Sequence, residues 1–422
     1  MSSFPLSGPP PPAAIVRRRV VISGLGVATA LGLETDAMWR SLLAGDCGIS
    51  LLPDGFADPE LPVRIAGRVD DAALAAGLQR YGIHERDRNG QLGLYVVGRA
   101  LEDAGYPTDG QALDLDVIVG SGHGTVGVSN AETRTYLEGG FRRVRPSTVV
   151  RTMFNRPASL ASMQYRLMGT SFVVSAACAS GTVALGEAFL RIALGISDAA
   201  VAACCDTGVD PLTFVAWNRF GVLSRNPDPA RASRPFDVKR DGLVLGEGAA
   251  AFVLETRERA ERRGARIWAE ILGYGSASDA THIVRPDTGG QVRAIRAALD
   301  WAGIGPEALD YVSVHGTATE LADVVEAAAL REALGEHGER VPVSTTKAQL
   351  GHLMGATAGV EVAATVLALR DGLLPACQNL DDPDPRCPLN FVRGEPRAVP
   401  VRVALKNTFG FGGTCCAVVL AR

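Results

Sequence analysis

Two textures alternate along the chain. Short runs rich in β-branched residues, such as Val20-Val-Ile-Ser-Gly-Leu-Gly26, are separated by longer alanine-rich stretches. The first suit buried strands and the second suit helices packed on them, so the pattern predicts an α/β protein. It also repeats. Ala112-Leu-Asp-Leu-Asp-Val-Ile-Val-Gly120 resembles Ala308-Leu-Asp-Tyr-Val-Ser-Val-His-Gly316, each an acid-capped strand ending at glycine. Ser171-Phe-Val-Val-Ser-Ala-Ala-Cys178 leads into a helix predicted over 182–194, and Val341-Pro-Val-Ser-Thr-Thr-Lys347 leads into another over 359–369. Each half is expected to close with an apolar strand pair, from 242–254 in the first and 401–420 in the second. Two similar halves are therefore predicted, 17–268 and 269–422, with a charged helix over 257–266 at the join. If strand ends from both halves meet at a pseudo-twofold, positions 178, 315 and 352 come together.

Residues 1–16, with proline at 9–12, read as a disordered leader without core function. Arg17, Arg18 and Arg19 then precede an apolar run from Val20 to Leu33 that contains Ala28-Thr29-Ala30, a passable signal cleavage site. That run carries three glycines and is too short to span ~30 Å of hydrocarbon as a helix. A first core strand is the better reading.

Composition narrows the function. With 47% hydrophobic and 21% charged residues, the 422-residue chain has material for a large core. Its 42 basic and 46 acidic residues leave a net charge of −4, which gives no overall field for nucleic acid or a membrane surface. The eight cysteines include the adjacent pairs Cys204/Cys205 and Cys415/Cys416 but no CxxC, so they read as thiols of a cytoplasmic protein.

Cys178 lies in Ser175-Ala-Ala-Cys-Ala-Ser-Gly181, a run of small residues between a predicted strand and helix. Small neighbours let a substrate approach the sulfur, and a helix N-terminus favours thiolate, which predicts a pKa pulled from ~8.5 toward neutrality. An inert buried cysteine fits the same residues. His315 ends its strand in Val314-His-Gly-Thr-Ala-Thr319, and His352 stands in Lys347-Ala-Gln-Leu-Gly-His-Leu-Met-Gly355 with a cation just upstream. Metal ligation by the two is disfavoured, for no third ligand stands at metal spacing. Gly410-Phe-Gly-Gly-Thr414 follows a predicted strand and suits a loop of inward-pointing N–H groups. Gly122-His-Gly-Thr-Val-Gly127 matches a dinucleotide fingerprint, but it lies far from the N-terminus without the accompanying acid, and 48 glycines make such matches easy.

Taken in order, these segments resemble the β-ketoacyl-acyl carrier protein synthases, in particular the elongating type II enzymes with a Cys-His-His site. The resemblance rests on Ala177-Cys-Ala-Ser-Gly181, Arg234-Pro-Phe-Asp237 with Arg240-Asp-Gly242 and Gly246-Glu-Gly248, His315-Gly-Thr317, Lys347 with Gly351-His352, and Asn407 with Gly410-Phe-Gly-Gly-Thr414. It covers residues 17–422 and implies a five-layer αβαβα thiolase fold in a dimer. By position it implies Cys178 as the acyl-accepting nucleophile, with the N–H groups of Cys178 and Phe411 holding the oxyanion. His315 and His352 become neutral donors to a malonyl thioester, Lys347 pairs with Glu361, and Asp323 supports the site. Thr317 and Thr319 resemble residues that bind the phosphopantetheine arm, and Phe411 a gating phenylalanine. No cofactor or metal is implied. The implied partners are an acyl carrier protein, with Arg142, Arg143 and Arg145 as docking candidates, and a second subunit that is either an identical copy or a chain-length-factor-like relative. A catalytically silent subunit or a thiolase-type acyltransferase are the alternatives. Three positions depart from the family pattern: Glu320, Cys415 and His123. The last is either a solvent-facing turn residue or a polar wall of the acyl pocket that selects polyene or poly-β-keto chains over saturated ones.

Overall fold

The computed structural model describes residues 17–56 and 58–422, so the expected leader at 1–16 lies outside the described residues. Eleven strands form one sheet: β1 (Val20–Ala28), β2 (Asp116–Gly120), β3 (Ser171–Val174), β4 (Ala199–Thr207), β5 (Glu247–Thr256), β6 (Ala269–Ser278), β7 (Tyr311–Ser313), β8 (Pro342–Ser344), β9 (Asn390–Phe391), β10 (Val403–Phe409) and β11 (Thr414–Ala421). Their spatial order is β9-β8-β7-β10-β11-β6-β1-β5-β4-β2-β3. Split between β1 and β6, this order is one pattern used twice. Three parallel strands, β3-β2-β4, are followed by antiparallel β5 and β1; β8-β7-β10 are followed by antiparallel β11 and β6. Val20–Ile22 pairs with Ala269–Ile271 and joins the two units.

Helices Ser180–Ala193 and Thr357–Asp371 pack on each other and on strands of both units, forming the middle of five layers. A helix covered on all sides must be apolar all round, and in Thr357–Asp371 only the last two residues escape burial. Arg88–Asp103 covers the outer face of the first unit, Thr288–Ala302 and Glu320–Leu334 that of the second. The glycines of the N-terminal run have a packing reason. A Cβ at Gly24 or Gly26 would meet the backbone oxygens of Ala100 or Val96 at 2.2 and 2.4 Å, and one at Gly273 or Gly275 would meet those of Ala298 or Ala294 at 2.2 and 2.1 Å. Both middle strands thus bring backbone against an outer helix, and β1 is the core strand its pattern predicts.

Two expectations need correction. The closing strand pair of the first unit is β4 with β5, because 242–254 contributes only one strand, whereas 401–420 does form the hairpin β10–β11. The charged helix stops at Arg262, where Gly264 with φ +65° ends the turn, and does not run to 266. Among the described residues no helix is long and apolar enough to cross a membrane.

Candidate active site

Cys178, His315, Thr317, Thr319, Lys347, Phe411 and His123 follow the carboxyl end of a parallel strand within a few positions, whereas His352 stands further along and Asp323 and Glu361 lie on the helices Glu320–Leu334 and Thr357–Asp371. After β3 the chain turns through Ala177, whose φ of +48° places a non-glycine residue in the left-handed region at a cost of ~1–2 kcal/mol. The turn is held where the Ala177 carbonyl accepts from the Ser180 hydroxyl (2.7 Å) and the Ser180 Oγ accepts from Ala176 N–H (2.9 Å). It presents Cys178 at the head of helix Ser180–Ala193. The glycine loop after β10 closes over this elbow: a Cβ at Gly410 would lie 2.7 Å from the Ala176 oxygen, so only glycine permits the approach. The N–H groups of Phe411 and of Cys178 itself lie near the sulfur and favour its thiolate.

The ligating atoms of Cys178, His315 and His352 all lie within 4.8 Å of one another. The imidazoles stand edge to face with centroids 5.4 Å apart, and Phe409 packs on His315 at 5.9 Å. Both are buried, and burial followed by the charge of Lys347 holds each pKa well below the usual imidazole value. Both are therefore neutral near pH 7. For His352 the tautomer follows from its partners. The Met354 N–H donates to Nδ1 at 3.2 Å and the Thr357 hydroxyl lies 2.8 Å from the same atom, so Nδ1 accepts and the proton sits on Nε2.

Lys347 donates to the His315 carbonyl and pairs with Glu361 at 2.6 Å, both partners being buried. The fold thus brings Cys178 beside the two imidazoles as a third donor that spacing along the chain did not show, while the charges of Lys347 and Lys406 act on both imidazoles and oppose a cation there. Asp323 accepts from the N–H groups of Thr317 (3.0 Å) and Phe236 (2.7 Å), and burial raises its pKa to about 7 against those bonds and Arg240. The thiol departs from expectation. Burial pushes the Cys178 pKa up to about 11, against Lys347 and the Phe411 N–H, so desolvation of the charge outweighs the helix-end effect anticipated from sequence.

A cavity of ≈ 220 Å³ opens onto this group, lined by Cys178, both histidines, Thr317, Thr319 and Phe411. The Thr317 and Thr319 hydroxyls lie 2.9 Å apart. Phe411 is 37% exposed and stacks on Trp217 at 6.1 Å, with Phe220 edge-on at 5.9 Å. His123 is no open turn residue. Its ring is largely covered, edge-on to Trp217, with Nδ1 3.2 Å from Asp206 Oδ1. Of the other departures, Cys415 is buried in β11 opposite Ala277, and Glu320 is exposed at the first turn of helix Glu320–Leu334.

Three charged residues of the site escaped the sequence reading. Asp206, at the end of β4, accepts from Gly122, His123 and Gly355 N–H groups at 2.9, 3.1 and 2.8 Å. Glu326 accepts from His315 N–H at 2.6 Å and Gly316 N–H at 2.8 Å. Lys406 lies 2.8 Å from Glu361 Oε2. Their one sequence signal is a charge inside an apolar run, as in Ala-Cys-Cys-Asp206 and Ala-Leu-Lys406.

Residues 17–260 match the model for "Beta-ketoacyl synthase, N-terminal domain" and residues 268–381 that for "Beta-ketoacyl synthase, C-terminal domain". The chain belongs to the beta-ketoacyl synthase family. This ketosynthase is 37% identical over 408 residues to 3-oxoacyl-[acyl-carrier-protein] synthase 2 of Coxiella burnetii, covering 96% of this chain and 98% of that one. It is 36% identical over 399 residues to the protein of the same name in Synechocystis, covering 94% and 96%. Among solved structures it superposes on the ishigamide ketosynthase/chain length factor with a TM-score of 0.88 and 32% identity, covering 96% of this chain and 99% of that one. A type II PKS ketosynthase, solved with its acyl-carrier protein and bound to the hexaketide, matches with the same TM-score and coverage at 27% identity. The fold is thiolase-like and the ketosynthase is an acyltransferase.

Proposed function

We propose that this ketosynthase is a catalytic, elongating subunit that condenses an acyl group held on Cys178 with a malonyl group on an acyl carrier protein. The observation that carries the reading is the convergence of one thiol and two neutral imidazoles at the end of a cavity, with two N–H groups near the sulfur. Cys178 attacks the acyl thioester, and the carbonyl oxygen gains charge against those N–H groups. The carrier sulfur leaves with the proton that the thiol gives up. A malonyl thioester then places its carbonyl oxygen between His315 and His352. As the bond to the carboxylate carbon breaks and carbon dioxide departs, its electron pair forms an enolate stabilised by the two N–H donors. The enolate carbon attacks the acyl-cysteine, the C–S bond breaks with its electron pair on the Cys178 sulfur, which takes up a proton from solvent, and the product remains on the carrier. The sequence is redox-neutral and draws on no cofactor.

Thr317 and Thr319, in the cavity wall, fit the amides of a phosphopantetheine arm, and the exposed Arg142, Arg143 and Arg145 offer a cationic rim to an acidic carrier. Strand β3 is a partly exposed sheet edge, and Phe141, Val149, Met163 and Met168 are 63–75% exposed nearby in sequence. That apolar surface fits a second subunit, either a copy of this chain or a chain-length-factor-like relative. A cytoplasmic location accords with eight free thiols. The test is mass spectrometry of carrier-bound product together with the acyl adduct on the enzyme. Wild type should carry the adduct on Cys178 and form β-ketoacyl carrier; Cys178→Ala should do neither. Full product formation by Cys178→Ala would overturn the assignment.

A further inference from the structure

Lys406 occupies the interior of β10, opposite Ser313 of β7 and Val418 of β11, and is fully buried. A lysine with no access to water persists only if something inside the protein needs its charge or repays its desolvation. Its ammonium donates to the Asn407 carbonyl, and the Ser313 and Val314 carbonyls lie 3.4 and 3.5 Å away. Among the described residues its one carboxylate neighbour at contact distance is Glu361, at 2.8 Å, but Glu361 Oε2 accepts no well-directed hydrogen bond from it. The contact is therefore mainly one of charge.

The charges facing Lys406 come from three elements: Glu361 on helix Thr357–Asp371, Glu326 on helix Glu320–Leu334, and Lys347. Glu326 grips the backbone of His315, and Glu361 holds Lys347. With Lys347 alone, one buried cation would face two buried carboxylates beside the histidine pair. The excess negative charge would sit where the proposed reaction binds a carboxylate and builds an enolate. Lys406 restores the balance to two against two.

We propose that Lys406 is a positioning residue of the condensing site, a second buried cation that shares Glu361 with Lys347 and cancels the negative excess behind His315 and His352. The inference rests on the ketosynthase reading and adds a group to it. Its field reaches both imidazoles and favours their neutral, donating form, whereas Cys178 feels chiefly Lys347. The decarboxylation step consequently depends on Lys406 more than the acylation step does.

Two variants of the full chain test this. Lys406→Met removes the charge and the donors; Lys406→Gln keeps a donor of similar reach without the charge. Both are expected to lower malonyl decarboxylation by about tenfold or more at pH 7 and to move its acid limb to higher pH, with acylation of Cys178 reduced far less. Ring NMR titration of His315 and His352, which needs no turnover, should show both imidazoles protonating at higher pH than in wild type. Unchanged titration and decarboxylation in both variants would overturn the inference. So would restoration of wild-type behaviour by Gln, which would make the contact a hydrogen-bonding one, or failure of both variants to fold, which would make the residue structural. An inactive wild-type enzyme would instead sink the ketosynthase reading, and the titration would still report on Lys406.

Discussion

Replacing Asp206 by asparagine isolates the contribution of one buried carboxylate to the geometry of the site. Its Oδ2 accepts from Gly122 and Gly355 at 2.9 and 2.8 Å, and its Oδ1 from the His123 backbone at 3.1 Å and the His123 ring at 3.2 Å. It is a fully buried side chain. An amide retains one acceptor oxygen and turns the other into a donor that faces N–H groups, so in either orientation two donors lose their partner. Bonds to a charged group contribute ~1.5–3 kcal/mol each, and breaking a buried charge pair costs ~3–5 kcal/mol. A loss of ~3–5 kcal/mol is expected from the urea unfolding of Asp206→Asn, followed by tryptophan fluorescence with unchanged slope. The pH dependence has a definite sign. Burial would raise the Asp206 pKa, but His123 and the backbone donors lower it, so its contribution is present above the ordinary carboxylate range and is lost as pH falls through the depressed value. Burial opposes a rise at His123, yet Asp206 lifts its pKa, so the ring's share is full below the ordinary imidazole value and is lost as pH rises through the raised one. The difference between variant and wild type should therefore peak at about pH 5–6 and shrink toward pH 9, without vanishing because three backbone N–H groups still need the carboxylate. A loss under ~1 kcal/mol at pH 6, or one that grows toward pH 9, would refute the reasoning. Condensation should fall in the same variant, since Gly355 follows Met354, whose N–H orients His352.

Because both site histidines have depressed pKa values, malonyl decarboxylation by wild type should stay level as pH falls through the ordinary imidazole range and decline only below it; an acid limb centred at about 6.5 would contradict the burial argument. Alkylation of Cys178 by iodoacetamide should keep accelerating with pH toward the thiol's value of about 11, and Lys347→Met should slow it further by removing the one cation that favours thiolate. A plateau near neutrality would show that the helix end outweighs burial after all. His123 does not line the cavity but packs edge-on to Trp217, which does; profiling His123→Ile against acyl-carrier substrates should show a shift toward saturated chains transmitted through Trp217, and an unchanged profile would remove His123 from selectivity.

The strands and the twofold repetition were legible in the sequence because each has a local signature, β-branched runs ending at glycine; Cys178, His315, Lys347 and His352, each of which alone also fits an inert residue, were legible only as an ordered set that resembles the ketosynthases. Local patterning also placed the glycine loop at 410–413. The protonation states were not legible. An elbow at a helix end predicts an acidic thiol, but the charge of a thiolate is stabilised or penalised by everything within several ångströms, and burial under the Phe411 loop reverses the outcome. Asp206, Glu326 and Lys406 were equally invisible as site residues, because their partners lie 84, 11 and 45 positions away: Gly122, His315 and Glu361. Sequence determined which groups the chain carries to its strand ends. Only the packing of two half-sheets around shared helices decided which charges meet without water between them, and in a low-dielectric interior that juxtaposition sets which groups are ionised.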